Sequence, residues 1–176
     1  MKKEKFFVVA ALGNPLSKEQ QLEVFEFQDV ETKDILLTYI AHHRLCHDAQ
    51  IKIFDLPLKM VMKLVHKYVH RHNLCDAAQL KIFDLPEENA VNLLTHFIAG
   101  NNRLCDAAQL KIFDLKAENA ANLLCSYVVY DDLCKAAQMK IFDLPEQFAQ
   151  SVLQKCSMYS ELCEEAEEKS KNLGLL

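Results

Sequence analysis

The chain contains no tryptophan, only three glycines and only four prolines among its 176 residues. Glycine and proline are the residues that most often end helices and form tight turns. Their scarcity therefore argues against many short strands joined by turns. No apolar run in the sequence approaches the roughly 20 residues that a membrane-spanning helix needs. The composition predicts helices with brief connections and no membrane span.

The chain also lacks an excess of positive charge, since its formal net charge is -5. An acidic balance argues against generic binding to nucleic acid or to anionic membranes, although it leaves room for a local basic patch. With 51% hydrophobic and 26% charged residues, the chain is too apolar to be disordered. It is also long enough to bury a hydrophobic core.

An internal repeat dominates the sequence. The string LCDAAQLKIFDL occurs unchanged at 74–85 and 104–115, Leu-Cys pairs begin at 45, 74, 104, 133 and 162, and a divergent copy begins at Leu16. A fixed period of this length is typical of a solenoid, in which each unit buries its apolar face by stacking on its neighbours. We therefore predict one all-α domain over residues 1–176, a right-handed α-solenoid of stacked helical hairpins with a 29–30 residue repeat. The predicted units are 16–44, 45–73, 74–103, 104–132 and 133–161, with half-units 1–15 and 162–176 as caps.

Each predicted unit holds two helices, and they meet at an Asp-Leu-Pro junction in the units 45–73, 74–103 and 133–161. Lys116 replaces the proline in the unit 104–132. In the unit 74–103, Asp84 and Glu87 form a predicted reciprocal capping pair, and Pro86 is tolerated in the first turn of the second helix. A phenylalanine recurs once per unit near the end of the first helix. We predict that Phe83 and Phe113 are almost fully buried and form part of the close-packed core.

Three further residue types repeat once per unit. Cysteines at 46, 75, 105, 134 and 163 predict small, buried, reduced thiols, because one helix-pair spacing of roughly 9–10 Å is too long for a disulfide. Glutamines at 21, 50, 79, 109 and 138 predict hydrogen bonds between units. Lysines at 52, 81, 111 and 140 each have an aspartate three residues on, which predicts ion pairing within the helix rather than a track for a phosphate backbone.

The N-terminus has two interpretations. Lys2, Lys3 and Lys5 precede the apolar run FFVVAAL, which resembles a signal peptide and would imply a secreted or periplasmic protein. The repeat register instead predicts that residues 2–12 form the second helix of a half-unit that caps the stack. We favour the cap, and with it a cytoplasmic location.

The strongest departure from the repeat lies in the second helix of the unit 45–73. Basic side chains recur there at helical spacing on one face, while apolar residues occupy the other. We predict a partner-binding face formed by Lys59, Lys63, His66, Lys67, His70 and Arg71. Such a face suits an acidic protein or a nucleic-acid backbone, and a solvated face balanced by neighbouring acids is the alternative.

All seven histidines lie in the first 96 residues, at 42, 43, 47, 66, 70, 72 and 96. His43 and His72 are separated by one repeat, and His66 and His70 by one helical turn, so either pair has a spacing that a transition metal accepts. The H-E-x-x-H and C-x-x-C signatures are absent, and no carboxylate completes a ligand set. A metal or enzymatic site is therefore the third hypothesis, and we expect no cofactor, no metal and no catalytic residue.

The paired-helix unit, the alanine-rich first helix and the junction at Asp84, Leu85 and Pro86 resemble the short bacterial relatives of HEAT-like helical repeats. The resemblance covers roughly residues 16–170. It implies a scaffold that binds proteins, and some relatives bind nucleic acid. We therefore expect a non-enzymatic protein-interaction scaffold, with nucleic-acid binding through the basic helix face as the alternative.

Overall fold

A computed structural model describes residues 6, 8–9, 13–27 and 29–176 of the chain, and every regular element along them is helical. The prediction of an all-α fold is confirmed. The α-helices are α1 Lys18–Glu23, α2 Asp29–Tyr39, α3 His47–Lys52, α4 Leu58–Val69, α5 Asp76–Ile82, α6 Glu87–Ala99, α7 Asp106–Lys111, α8 Ala117–Tyr127, α9 Lys135–Lys140, α10 Glu146–Tyr159 and α11 Glu164–Asn172. In the described part of the chain, no helix has both the length and the apolar character that a membrane crossing requires.

The helices group into two compact units that divide between Ile82 and Phe83. In the N-terminal unit, α1 packs on α3, α3 on α5, and α2 on α4. In the C-terminal unit, α6 packs on α8, α8 on α10, α7 on α9, and α9 on α11. Within each unit, corresponding helices of successive repeats are therefore neighbours.

The first helix of a repeat is shorter than its apolar pattern suggests. The Leu-Cys pair is extended, and Cys46, Cys105, Cys134 and Cys163 are the N-cap residues. Three of these helices end in a tighter 3-10 turn, at Ile53–Asp55, Ile112–Asp114 and Ile141–Asp143. A 3-10 turn has three residues per turn instead of 3.6.

The prediction that Phe83 and Phe113 are almost fully buried is wrong, because both side chains are half-buried. The preceding isoleucine takes the core position, and it is completely buried in four repeats, at Ile53, Ile82, Ile112 and Ile141. The exposed side of the phenylalanine column is covered by lysine: the Lys140 ammonium lies 5.8 Å from the Phe113 ring centroid.

The predicted Asp84–Glu87 capping pair is also wrong. The N-cap residues of the second helices are Pro57, Pro86, Lys116 and Pro145, and none of them has a side-chain capping bond. The Glu87 carboxylate instead accepts bonds from the next repeat, from the Asn119 side-chain amide at 2.8 Å and the Lys116 N–H at 3.0 Å. These two bonds, the first most strongly, hold the pKa of Glu87 below its usual value. The start of α8 is thus capped by Glu87 of the preceding repeat.

The glutamine column forms the hydrogen bonds between repeats that its spacing predicts. Gln109 Nε2 donates to the Leu104 carbonyl at 3.1 Å, and its Oε1 accepts the Cys134 N–H at 2.7 Å. The same two bonds recur at Gln21, Gln50 and Gln138. Each amide is buried, and it satisfies an N–H at the start of the next first helix that has no partner within that helix. The column therefore fixes the register between successive repeats.

The cysteine column is less buried than predicted. Cys75 is buried, whereas Cys46, Cys105, Cys134 and Cys163 are half-buried. The reason is that these residues occupy the N-cap position at the edge of the helix rather than its packed face. The remaining two thiols belong to the second helices, and burial raises the pKa of Cys156 to about 11.

We expect all seven cysteines to be reduced, because each is free in the structure. Unfolding the chain with iodoacetamide and without a reductant should therefore add seven carbamidomethyl groups. Intact-mass spectrometry measures the number directly. A product with five additions, and a disulfide mapped to the column, would contradict the predicted one-thiol-per-repeat spacing.

The predicted N-terminal cap over residues 2–12 falls mostly outside the described residues. Phe6, Val8 and Val9 are helical. The Phe6 side chain is completely buried, and its ring meets the Phe27 ring edge-on with centroids 5.4 Å apart. At Phe6 the N-terminal segment is therefore packed against the first repeat.

Candidate functional site: a basic helix face

The candidate site lies on α4, a helix with sharply separated faces. Its buried side chains are Val61, Leu64, Val65, Tyr68 and Val69. On the opposite side Lys59, Lys63, Lys67 and His70 are exposed, His66 is half-buried, and Arg71 follows in the exposed turn. The structure thus places the six predicted residues together on one side of the helix and its C-terminal turn. We call them the basic face.

Helix stability does not account for this charge pattern at the start of α4. A helix N-terminus carries partial positive charge, so acidic residues stabilise the first turn and basic residues destabilise it. Three other second helices carry a glutamate in the first turn, at Glu87, Glu118 and Glu146. The first turn of α4 has no acidic residue and carries Lys59 instead. The lysine is therefore placed against the local electrostatic preference.

The lysines of the basic face form no ion pair with the residues of neighbouring repeats that the structure describes. Along the described ranges no ion pair involves Lys59, Lys63 or Lys67. On the adjacent helix α2, Asp34 pairs with Lys33 at 3.2 Å. These three ammonium groups therefore remain available to a partner.

Arg71 differs from the three lysines. Its guanidinium donates to the Ala41 carbonyl at 3.1 Å, at the end of the preceding second helix. Arg71 lies after the last residue of α4, and the turn at this point directs its side chain toward the preceding repeat. Arg71 thus has a structural contact in addition to its place on the basic face.

The histidines divide into two groups. The Nε2 atoms of His43 and His72 lie 2.7 Å from the Gly13 carbonyl and 3.1 Å from the Ile40 carbonyl, respectively, so each imidazole bonds to the preceding repeat. Each ring also stacks or tilts against a tyrosine four residues earlier. This repeated contact favours a structural role for both residues over a shared metal site.

His66 and His70 meet edge-to-face, with ring centroids 4.7 Å apart. Both lie among the lysines of the basic face. Positive charges on the same face of the helix disfavour the binding of another cation there, because like charges repel. The electrostatics of α4 therefore favour an anionic partner over a metal ion.

The lysine column does not offer a comparable surface. Lys111 pairs with Asp114 at 3.1 Å, which confirms the predicted pairing in that repeat. Lys52 instead approaches Glu26 of the preceding repeat at 3.7 Å and lies 6.0 Å from the centroid of Phe25. These lysines are already engaged by acidic or aromatic neighbours.

The sequence reasoning did not predict one pair of exposed aromatic residues. Tyr130 and Tyr159 lie one repeat apart and are 57% and 51% exposed. The corresponding positions in earlier repeats hold His42, Arg71 and Asn101. A comparison of the repeats for aromatic replacements, as well as for charge, would have identified them.

The chain matches no family model, no curated protein and no solved structure. Its function is therefore argued from its own residues.

Proposed function

We propose that this protein is a non-enzymatic interaction scaffold of the HEAT-like type that binds an acidic protein through the basic face of α4. One observation carries the proposal: Lys59, Lys63 and Lys67 are exposed, and within the described residues they take part in no ion pair. Several lysines elsewhere have acidic neighbours, such as Lys18 with Asp48 at 2.8 Å. An acidic partner would supply the missing counter-charges and would accelerate association by electrostatic steering.

The apolar side of α4 is already buried, which restricts how a partner engages the helix. Leu64, Val65 and Tyr68 are completely buried, so the helix has no free apolar stripe for insertion into a membrane or into a hydrophobic groove. Binding therefore depends on the charged side chains. The partner surface that fits is a cluster of glutamates or aspartates.

Nucleic-acid binding is the alternative, because lysines at helical spacing also suit phosphates. It would require several basic elements in a continuous track. The ion pair of Lys111 and the contacts of Lys52 argue against such a role for the first helices. The net charge of -5 also opposes it.

We further propose that the repeats form one continuous right-handed solenoid. The neighbouring positions of corresponding helices within each unit support this arrangement, as do the repeated glutamine bonds. Small-angle X-ray scattering tests it, since a compact chain of this length has a radius of gyration of about 16 Å. A stack of five helical hairpins and two half-units, with spacings of about 9–10 Å, should be clearly larger. A measured value of about 16 Å would contradict the solenoid.

The acidic-partner proposal is tested by affinity capture from lysate of the source cells, with quantitative mass spectrometry. The bait variant carries Lys59→Glu, Lys63→Glu and Lys67→Glu. A matched control carries Lys116→Glu, Lys135→Glu and Lys171→Glu, which changes the net charge equally at exposed lysines that already have acidic neighbours. Surface changes of this kind usually alter stability by only about 0.5 kcal/mol each, so both variants should fold.

We expect the parent chain and the control to capture the same acidic proteins, and the α4 variant to lose them. Equal recovery by all three baits would refute the proposal. Recovery that disappears after nuclease treatment of the lysate would instead support nucleic-acid binding.

A further inference from the structure

A second exposed surface lies in the C-terminal unit, where α8 and α10 end. Val129 and Tyr130 follow α8, and Met158 and Tyr159 occupy the corresponding positions at the end of α10. Their exposed fractions are 42%, 57%, 67% and 51%, respectively. Isolated exposed apolar side chains are ordinary, but two adjacent pairs at equivalent repeat positions form a patch of the kind that marks interaction sites.

A groove of about 530 Å³ adjoins this patch. It is lined by Asn122, Cys125, Ser126, Val129, Tyr130 and Lys155. The Ser126 hydroxyl donates to the Asn122 carbonyl at 2.9 Å, so its proton is already used within the helix. Burial raises the pKa of Cys125, which leaves its thiol neutral. The groove therefore has mainly uncharged walls and a single charged group, the ammonium of Lys155.

Lys155 is held in place without being neutralised. Its ammonium lies 5.4 Å from the centroid of the Tyr159 ring, an attractive cation–π contact. Among the described residues it has no ion pair. In the turn after Tyr130, the Asp131 carboxylate accepts a bond from the Tyr127 hydroxyl at 3.2 Å and pairs with Arg103 at 3.2 Å. Lys155 thus remains ready to bind an incoming carboxylate.

We propose that this groove binds a short segment of a partner protein in which an aspartate or glutamate lies next to an aromatic or aliphatic residue. The apolar side chain contacts Val129 and Tyr130, and the carboxylate binds Lys155 beside Tyr159. Tyrosine and methionine are enriched at protein interfaces, and a charge pair across the interface helps to fix the orientation of the segment. This surface belongs to helices other than α4, and the inference does not depend on the basic face.

A random octapeptide library displayed on phage and selected on the immobilised chain tests the inference. We expect a consensus that contains a carboxylate adjacent to an aromatic or aliphatic residue. The consensus peptide, labelled with fluorescein, is then measured by fluorescence anisotropy. Lys155→Gln and Tyr130→Ser should each weaken its binding at least about tenfold, because each removes a central contact. Lys155→Arg keeps the charge and should bind within about threefold of the parent, a difference of well under 1.4 kcal/mol.

The control variants are Lys116→Gln, at another exposed lysine, and the triple α4 variant, and neither should change peptide affinity. Circular dichroism melting verifies that every variant is folded. Failure of the library to yield an enriched sequence would overturn the inference. It would equally be overturned by a consensus without a carboxylate, or by peptides that bind the Lys155→Gln and Tyr130→Ser variants as tightly as the parent.

Discussion

Replacing Gln109 by leucine is expected to lower the free energy of unfolding by about 2–5 kcal/mol, since each buried polar group left without a partner costs about 1–3 kcal/mol. The substitution removes the amide that joins the Leu104 carbonyl to the Cys134 N–H, and it also removes a contact with the Tyr127 hydroxyl. Leucine has a similar volume but no polar atoms to replace these bonds. Urea denaturation followed by circular dichroism gives the change directly.

Gln147→Leu is the matched control, because Gln147 is an exposed residue of α10 outside the column. It should change stability by no more than about 0.5 kcal/mol. If both variants unfolded at the same urea concentration as the parent, the glutamine bonds would not be what fixes one repeat to the next.

Replacing Ile112 by alanine is expected to cost about 2–5 kcal/mol, the usual range for removing a large aliphatic side chain from a core. Ile112 is completely buried, so the truncation leaves a cavity in a closely packed region. The adjacent Phe113→Ala substitution removes a larger side chain but a half-buried one. It should therefore destabilise the chain less than Ile112→Ala, although phenylalanine is normally the more costly residue to truncate.

The comparison is made by thermal and urea denaturation of the two variants under identical conditions. A larger loss of stability for Phe113→Ala would place the phenylalanine column in the core after all. It would contradict the half-burial of the Phe113 side chain.

The repeat sequence predicts the helical class and the pairing of glutamines between repeats, but not how unequally Ile112 and Phe113 are buried. Both are large and apolar. A 3.6-residue period places Ile112 on the same face as Ala108, four residues earlier, and Phe113 on another side of the helix, which we predicted to be equally buried. The actual helix starts only at Asp106, and a 3-10 turn begins at Ile112. The burial of Phe113 depends on how closely the next repeat packs against it, which composition does not show.

The sequence likewise predicts only part of the candidate site. Lys59, Lys63 and Lys67 recur every four residues, and that spacing alone places them on one side of a helix. The contact of Arg71 with the Ala41 carbonyl could not be predicted, since it depends on where α4 ends and how the next turn runs. Likewise, the exposure of Tyr130 depends on which turn residues the neighbouring repeat covers.

The dissociation constant between this chain and the acidic protein it captures most strongly tests the central claim most directly. Isothermal titration calorimetry with the parent and the Lys59→Glu, Lys63→Glu, Lys67→Glu variant measures it at ionic strengths of about 0.05 M and 0.5 M, between which the screening length falls severalfold. We predict that the added salt weakens the parent complex at least about tenfold, and that the variant binds at least about tenfold more weakly at low salt. A dissociation constant that is unchanged by both the substitutions and the salt would contradict binding through the basic face.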